Sequence, residues 1–271
     1  MGSSKIRFID TGSSDGRFNM AADYYVARNF TDRPTFRVYR WDPYTVSLGY
    51  HQDISEINAE KCKQLGYGIV RRETGGRAVF HSEELTYSMV IPAGSKFYSD
   101  SIMEVYNRIS KVLVSALRAS GIADADLKKG KAPDFKELYK EKLSSVCFSS
   151  TSTYEVVIGD KKLVGSAQKR LKNSVLQHGS ILVGEKHLEL IDMLNIDDRL
   201  KERFKEITKS KTACVEKVMN MPGHEAFFSA LKKELRNAIK HEFGEETEDF
   251  SFEKKDLLEI NEIKSYFDLG V

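Results

Sequence analysis

V-R-R-E-T-G-G-R-A-V-F-H-S-E-E-L-T-Y-S-M-V-I-P, residues Val70 to Pro92, is the stretch whose reading decides this chain. Two extended apolar runs flank the pair Gly75-Gly76, with Arg71 and Arg72 before it, Arg77 after it and His81 four residues beyond Arg77. Adjacent glycines admit positive φ and let a ligand approach the main chain. Consecutive N–H groups at such a turn can cradle an oxyanion or phosphate, with guanidinium groups adding charge-assisted bonds. The competing reading is a β-hairpin in which the glycines only reverse the chain and the arginines are solvated.

R-R-E-T-G-G-R-A-V-F-H resembles the signature of the lipoate- and biotin-protein ligase and octanoyltransferase superfamily, whose members load acyl cofactors onto a lysine of a carrier domain. A-V-F-H followed by E-L-T-Y-S is most similar to the bacterial cysteine-dependent octanoyltransferases, which take octanoate from acyl carrier protein. The resemblance implies an α+β fold with a mixed β-sheet flanked by helices. It also implies substrate-binding roles for Arg72, Thr74, Gly75, Gly76, Arg77, Ala78 and His81.

Outward from this stretch the composition is ordinary. The chain has 271 residues, 41% hydrophobic and 30% charged, enough to bury a sizeable core. Forty-two basic residues against 40 acidic give a net charge of +2, so no global field selects nucleic acid or a membrane surface. Cys62, Cys147 and Cys214 lie far apart, without metal spacing or a disulfide framework. No apolar run is long enough to span a bilayer and no signal-peptide pattern opens the chain, so a cytoplasmic protein is expected. Neither a metal site nor a dinucleotide fingerprint can be assembled, and no cofactor is expected.

In chain order, Arg7–Ile9 reads as a short strand and Thr11–Asp15 as a turn. Phe18, Ala21, Ala22, Tyr25 and Val26 then recur at helical spacing over 17–30. Asn19-Met20-Ala21 with Asp23 resembles the opening helix of the superfamily, but the residues themselves suggest core and cap roles only. Phe36–Trp41 and Thr45–Tyr50 predict a hairpin across Asp42-Pro43. Ser55 is placed to cap a helix running to Leu65. The spacing predicts a core helix over 100–120 ended by Gly121. Lysines crowd 128–142, either as a solvated face or as a dock for an acidic carrier.

Cys147 sits in the polar run S-S-V-C-F-S-S-T-S-T, unlike a buried structural cysteine. Tyr154–Ile158 and Lys162–Ala167 predict a hairpin across Gly159-Asp160, and a further strand, Val175–Val183, holds Q-H-G-S. Y-E-V-V-I-G-D-K-K-L-V-G-S-A-Q-K-R again resembles the superfamily, whose Lys-x-x-Gly lysine reaches the acyl carbonyl. Here that lysine is Lys162, ahead of Gly165. The resemblance thereby implies Cys147 and Lys162 as the catalytic pair, with Gly165, Ser166, His178 and Gly179 near the substrate. His81 and His178 are expected beside it without a general-base role. Helices are predicted over 187–194, 198–207 and 224–243. With no linker or repeat, one domain over 1–271 is expected, its core at about 6–243 and a tail at 244–271.

The implied reaction passes an octanoyl group from acyl carrier protein through a Cys147 thioester to a lysine of the glycine-cleavage H protein or a dehydrogenase lipoyl domain. Lowering a thiol pKa by about 1.5 units takes roughly 2 kcal/mol. An ammonium about 4 Å away at an effective dielectric near 20 supplies on the order of 4 kcal/mol. One lysine therefore suffices. Three alternatives stay open. An ATP-dependent lipoate- or octanoate-protein ligase would carry a third glycine at Arg77 and need no cysteine. An amidotransferase between carrier proteins would share the chemistry. An acyl-carrier-binding module would bind without reacting.

Overall fold

The computed structural model describes residues 5–129, 154–220 and 223–270. Cys147 and positions 130–142 of the lysine-rich run lie outside the described residues.

The expected α+β architecture is present. Strands β1 (Ile6–Ser14), β2 (Thr35–Trp41), β6 (Glu84–Pro92), β7 (Ala125–Lys129), β8 (Tyr154–Ile158), β9 (Lys161–Arg170), β10 (Ser174–Leu182) and β11 (Thr247–Asp249) form a mixed sheet in the order β11-β1-β2-β6-β10-β9-β8-β7. The pairings at the β11-β1-β2 end are parallel, and those from β2 to β7 antiparallel. A second sheet, β4-β3-β5, comprises β3 (Thr45–Leu48), β4 (Gly68–Arg71) and β5 (Val79–His81).

Alternation along the central strands divides the core in two. Phe36 and Val38 of β2, Tyr87, Met89 and Ile91 of β6, and Val175 and Ile181 of β10 pack against helices α3 (Ile102–Ala119) and α5 (His224–Phe243). Tyr39, Trp41, Val90 and Leu176 turn to the other face, covered by α1 (Gly16–Asn29) and α6 (Lys254–Ile263). Asp15 caps α1 by accepting from the Phe18 N–H at 2.9 Å, and Ser101 caps α3. Gly244 ends α5 in the left-handed conformation.

Several sequence expectations require correction. Thr11–Ser14 is strand and not turn, because β1 continues alongside β2 to Ser14↔Trp41. Phe36–Trp41 and Thr45–Tyr50 do not pair as a hairpin. β2 is held between β1 and β6, whereas β3 belongs to the second sheet. Both runs are apolar enough for either partner, and alternation does not name the partner. The Gly75-Gly76 segment is no hairpin turn either. β4 and β5 lie on opposite sides of β3, so residues 72–78 cross over its end. Ser55 lies within a 3-10 turn capped by Asp53, and the following helix α2 (Ala59–Gln64) is capped by Asn58. The helix expected over 187–194 is a 3-10 segment, Lys186–Met193.

Beyond Phe243, where the resemblance fades, the chain remains part of the body. β11 pairs with β1, α6 packs on α1, and Asp268 bridges to Val70 of β4.

Candidate active site

The register of β2, β6 and β10 builds a polar patch beneath α1. Arg37 and His178 both stand opposite Ser88, while Tyr39 and Ser180 both stand opposite Thr86. Side chains of one parity therefore share the face that α1 covers. On it, Asp23 of α1 is buried and accepts four bonds. They come from Arg37 Nη1 at 2.8 Å, Tyr39 Oη at 2.8 Å, Ser88 Oγ at 2.6 Å and His178 Nδ1 at 3.2 Å. Burial disfavours its charge, but the Arg37 guanidinium and these bonds prevail and hold the carboxyl below its usual range. Its charge also pushes the Tyr39 phenol, already raised by burial, well above the usual value.

With Nδ1 facing a carboxylate, His178 carries its proton there and accepts from Thr74 Oγ1 at Nε2, 2.7 Å away. Thr74 opens the glycine loop, so this contact ties the loop to the centre of the main sheet. A second imidazole is arranged likewise. His81 Nδ1 lies 2.7 Å from Glu84 Oε1 and Nε2 lies 2.8 Å from Ser47 Oγ, while the ring stacks on Trp41 with centroids 3.9 Å apart. Burial lowers the His81 pKa, with Glu84 opposing and Arg72 and His178 reinforcing the shift.

Two arginines of the loop, Arg71 and Arg72, are bonded to main-chain carbonyls. Arg71 Nη1 donates to the Gly49, Tyr50 and Gln52 carbonyls. Arg72 is buried, donating to Ser47 O and Oγ through Nη1 and to Gly75 O and Arg77 O through Nη2. These bonds shape the loop. Only Gly76 of the pair takes positive φ, at 96°. Gly75 has open space around its Cα, and Ala78 is wholly buried. A side chain on Gly49 would meet Gly76 O at 2.0 Å, so the loop lies directly on that glycine.

Of the residues expected near substrate, Arg72, His81, Gly165, Ser166, His178 and Gly179 line one cleft. Met20, Tyr39 and Trp41, to which the sequence assigns no chemistry, join them there. The free volume is about 30 Å³, space for a water or two. Gly179 keeps the cleft floor low, because a Cβ there would stand 2.5 Å from Gly165 O. Gly75, Gly76, Arg77 and Ala78 stand beside this cleft in the crossover loop and do not line it.

Lys162 lies three residues before Gly165 on β9, and its Nζ is 3.0 Å from Glu155 Oε1 of β8. Cys62 and Cys214 are free and buried, and burial raises each thiol to about 11, which makes both poor nucleophiles. Among the described residues, no group of three or more His, Cys, Asp or Glu could hold a metal ion. Also among them, no helix is long and apolar enough to cross a membrane.

Asp23, Arg37, Ser47, Glu84 and Glu155 were missed by sequence reasoning. For Asp23 and Arg37 a signal existed. One is a carboxylate on the apolar stripe of α1, the other a cation between Phe36 and Val38 of a buried strand.

The sequence model of the lipoyl protein ligase A/B catalytic domain matches residues 15–236. The chain belongs to that family. Octanoyltransferase LipM of Staphylococcus aureus is 39% identical over 244 residues, covering 86% of this chain and 88% of that one. The protein of the same name from Halalkalibacterium halodurans is 33% identical over 262 residues, covering 95% and 94%. Among solved structures, the bipartite lipoate protein ligase of Thermoplasma acidophilum, described with its E2 lipoyl domain, superposes with a TM-score of 0.76. It is 20% identical and covers 96% of this chain and 92% of that one. Lipoate-protein ligase A bound with ATP gives 0.74 at 21% identity, covering 97% and 94%. At such identities the structural likeness establishes the fold alone.

Proposed function

We propose that this protein is an octanoyltransferase of lipoate assembly. In this reading it takes octanoate from octanoyl-acyl carrier protein, holds it as a thioester on Cys147, and passes it to a lysine ε-amine of a lipoyl carrier protein. The acceptor is the glycine-cleavage H protein or a dehydrogenase lipoyl domain. The observation that carries the reading is the convergence of His81, His178, Gly165, Ser166 and Gly179 on one cleft, in a chain whose relatives are named octanoyltransferases.

The Cys147 thiolate attacks the acyl carbonyl, and the carrier's pantetheine thiol leaves with a proton. The acceptor amine then attacks the new thioester, loses a proton, and releases the Cys147 thiol. Lys162 stabilises the thiolate and carries protons in both steps. Backbone N–H groups around Gly76–Ala78 or Gly165–Ser166 receive the tetrahedral oxyanion. Desolvating about seven acyl carbons at ~0.8 kcal/mol each favours octanoate over short chains.

The test is incubation with octanoyl-acyl carrier protein without ATP, read by intact mass. One octanoyl adduct should form, map to Cys147, and be released by neutral hydroxylamine. Cys147→Ala should lose both adduct and transfer, whereas Cys62→Ser and Cys214→Ser should keep them. Transfer that requires free octanoate and ATP would instead establish a ligase.

A further inference from the structure

The Glu84 carboxylate is almost fully buried and used in a lopsided way. Three donors converge on Oε1, namely His81 Nδ1 at 2.7 Å, Thr86 Oγ1 at 2.6 Å and Ser180 Oγ at 2.7 Å. Oε2 is buried with no partner among the described residues. A bare buried carboxylate oxygen destabilises the fold, and such groups persist where they serve a purpose.

The direction of the surrounding hydrogen bonds supplies one. Facing Oε1, His81 must carry its proton on Nδ1, which leaves Nε2 as an acceptor. Ser47 Oγ, 2.8 Å away, must then donate to Nε2. With its proton so placed, the Ser47 oxygen presents a lone pair, which accepts from Arg72 Nη1 at 3.0 Å. Arg72 Nη2 donates in turn to Gly75 O at 2.9 Å and Arg77 O at 2.7 Å. In a trans peptide the N–H points opposite to the C=O. Drawing those two carbonyls to Arg72 turns the N–H groups of Gly76 and Ala78 away from it. The Gly76 N–H has no acceptor among the described residues, whereas Ala78 is wholly buried and belongs to a β-bridge.

We infer that Glu84 and Ser47 are positioning residues for octanoyl transfer, acting through His81 and Arg72 to hold the Gly76 N–H as a fixed donor to the acyl oxyanion. The inference rests on the octanoyltransferase reading. The carboxylate sets the imidazole tautomer, the tautomer sets the serine proton, and the serine oxygen accepts from the guanidinium that orients the loop. The opposite tautomer would place an Nε2–H and an arginine N–H against the same serine oxygen while a lone pair faced Glu84.

The test is kinetic and spectroscopic on the full chain. In Ser47→Ala, kcat per folded protein for octanoyl transfer from octanoyl-acyl carrier protein should fall by 10-fold to 100-fold with KM near wild type. The melting temperature should drop because His81 Nε2 loses its donor. Ser47→Thr, which keeps the hydroxyl, should recover most of the loss. Imidazole ¹⁵N shifts of the wild-type protein at neutral pH should show His81 protonated at Nδ1 and bare at Nε2. In Glu84→Gln, whose amide can face the ring with either end, the Nε2-protonated form should appear and kcat should fall with it. Wild-type turnover in Ser47→Ala, a drop in kcat that only mirrors lost folded protein, or an Nε2-protonated His81 in wild type would each overturn the inference. A wild-type protein that transfers no octanoyl would sink the functional reading alone, and the ¹⁵N spectrum would still decide the hydrogen-bond relay.

Discussion

Lys162 Nζ lies 3.0 Å from Glu155 Oε1, and about nine-tenths of each side chain is removed from solvent. A nearby thiolate would therefore meet a lysine whose charge is already matched. Lys211, at the end of α4 (Asp198–Lys211), adds a second cation. Burial lowers its pKa, and the Glu155 carboxylate partly opposes that shift. Glu155 thus acts on two lysines, Lys162 by direct contact and Lys211 through its charge.

Glu155→Gln should then have two separable effects. Leaving Lys162 without its carboxylate should lower stability by ~3–5 kcal/mol, read from the denaturant midpoint. It should also make thiol alkylation by iodoacetamide set in at lower pH, because the opposing negative charge is gone. Lys162→Met should move that onset to higher pH. An unchanged onset in both variants would remove these residues from the thiol's environment.

Thr74→Val keeps the shape of the side chain but removes the donor to His178 Nε2. A buried, unsatisfied imidazole nitrogen should destabilise the fold by about 1–3 kcal/mol. Untying the loop should also slow octanoyl transfer, and Thr74→Ser should restore both. Chemical denaturation alongside a transfer assay distinguishes this outcome from a solvent-satisfied histidine, for which Val and Thr would behave alike.

The loop glycines should respond unequally. Gly49→Ala places a Cβ 2.0 Å from Gly76 O, so the loop must move, at about 1–3 kcal/mol in stability and more than about tenfold in transfer rate. Gly76→Val is strained by the positive φ and should also lose transfer while remaining folded. Gly75→Ala meets open space and should be tolerated. Equal losses at Gly75 and Gly49 would refute this account of the loop.

Acid should destabilise the protein beginning near pH 6.5. His81 and His187 are both lowered from 6.5 by burial. Between their folded values and 6.5 the unfolded chain binds protons that the folded chain refuses, so stability rises with pH across that window. Melting temperatures at pH 7.5, 6.5 and 5.5 should decline in that order. His187→Gln should flatten part of the decline.

Element identity was readable because its causes are local. The apolar period of α3, the turn at Gly159-Asp160 and the stop at Gly244 each depend on a few neighbouring residues. Strand partnership was not readable, because β3 and β4 obey the same alternation whichever sheet they enter. The resemblance named Arg72, His81, Gly165, Ser166, His178 and Gly179, which folding brings to one cleft, but not the partners that arise by juxtaposition. Nothing in the surroundings of Asp23 in sequence reveals that folding brings it against Arg37 of β2 and His178 of β10. Cys147, the residue on which the chemistry was staked, lies outside the described residues.

The pairing of β1 with β11 has a consequence for how the protein is made. Residues 6–14 emerge well before residues 247–249, yet their outer edge waits for them, and β4 beside the glycine loop waits for Asp268. Until then a growing chain presents an open parallel edge of the kind that templates aggregation. A ribosome stalled late would thus release a product that holds nearly every catalytic candidate but has no seal along its first strand. Quality control would meet it as a sticky sheet, long before any loss of chemistry could be noticed.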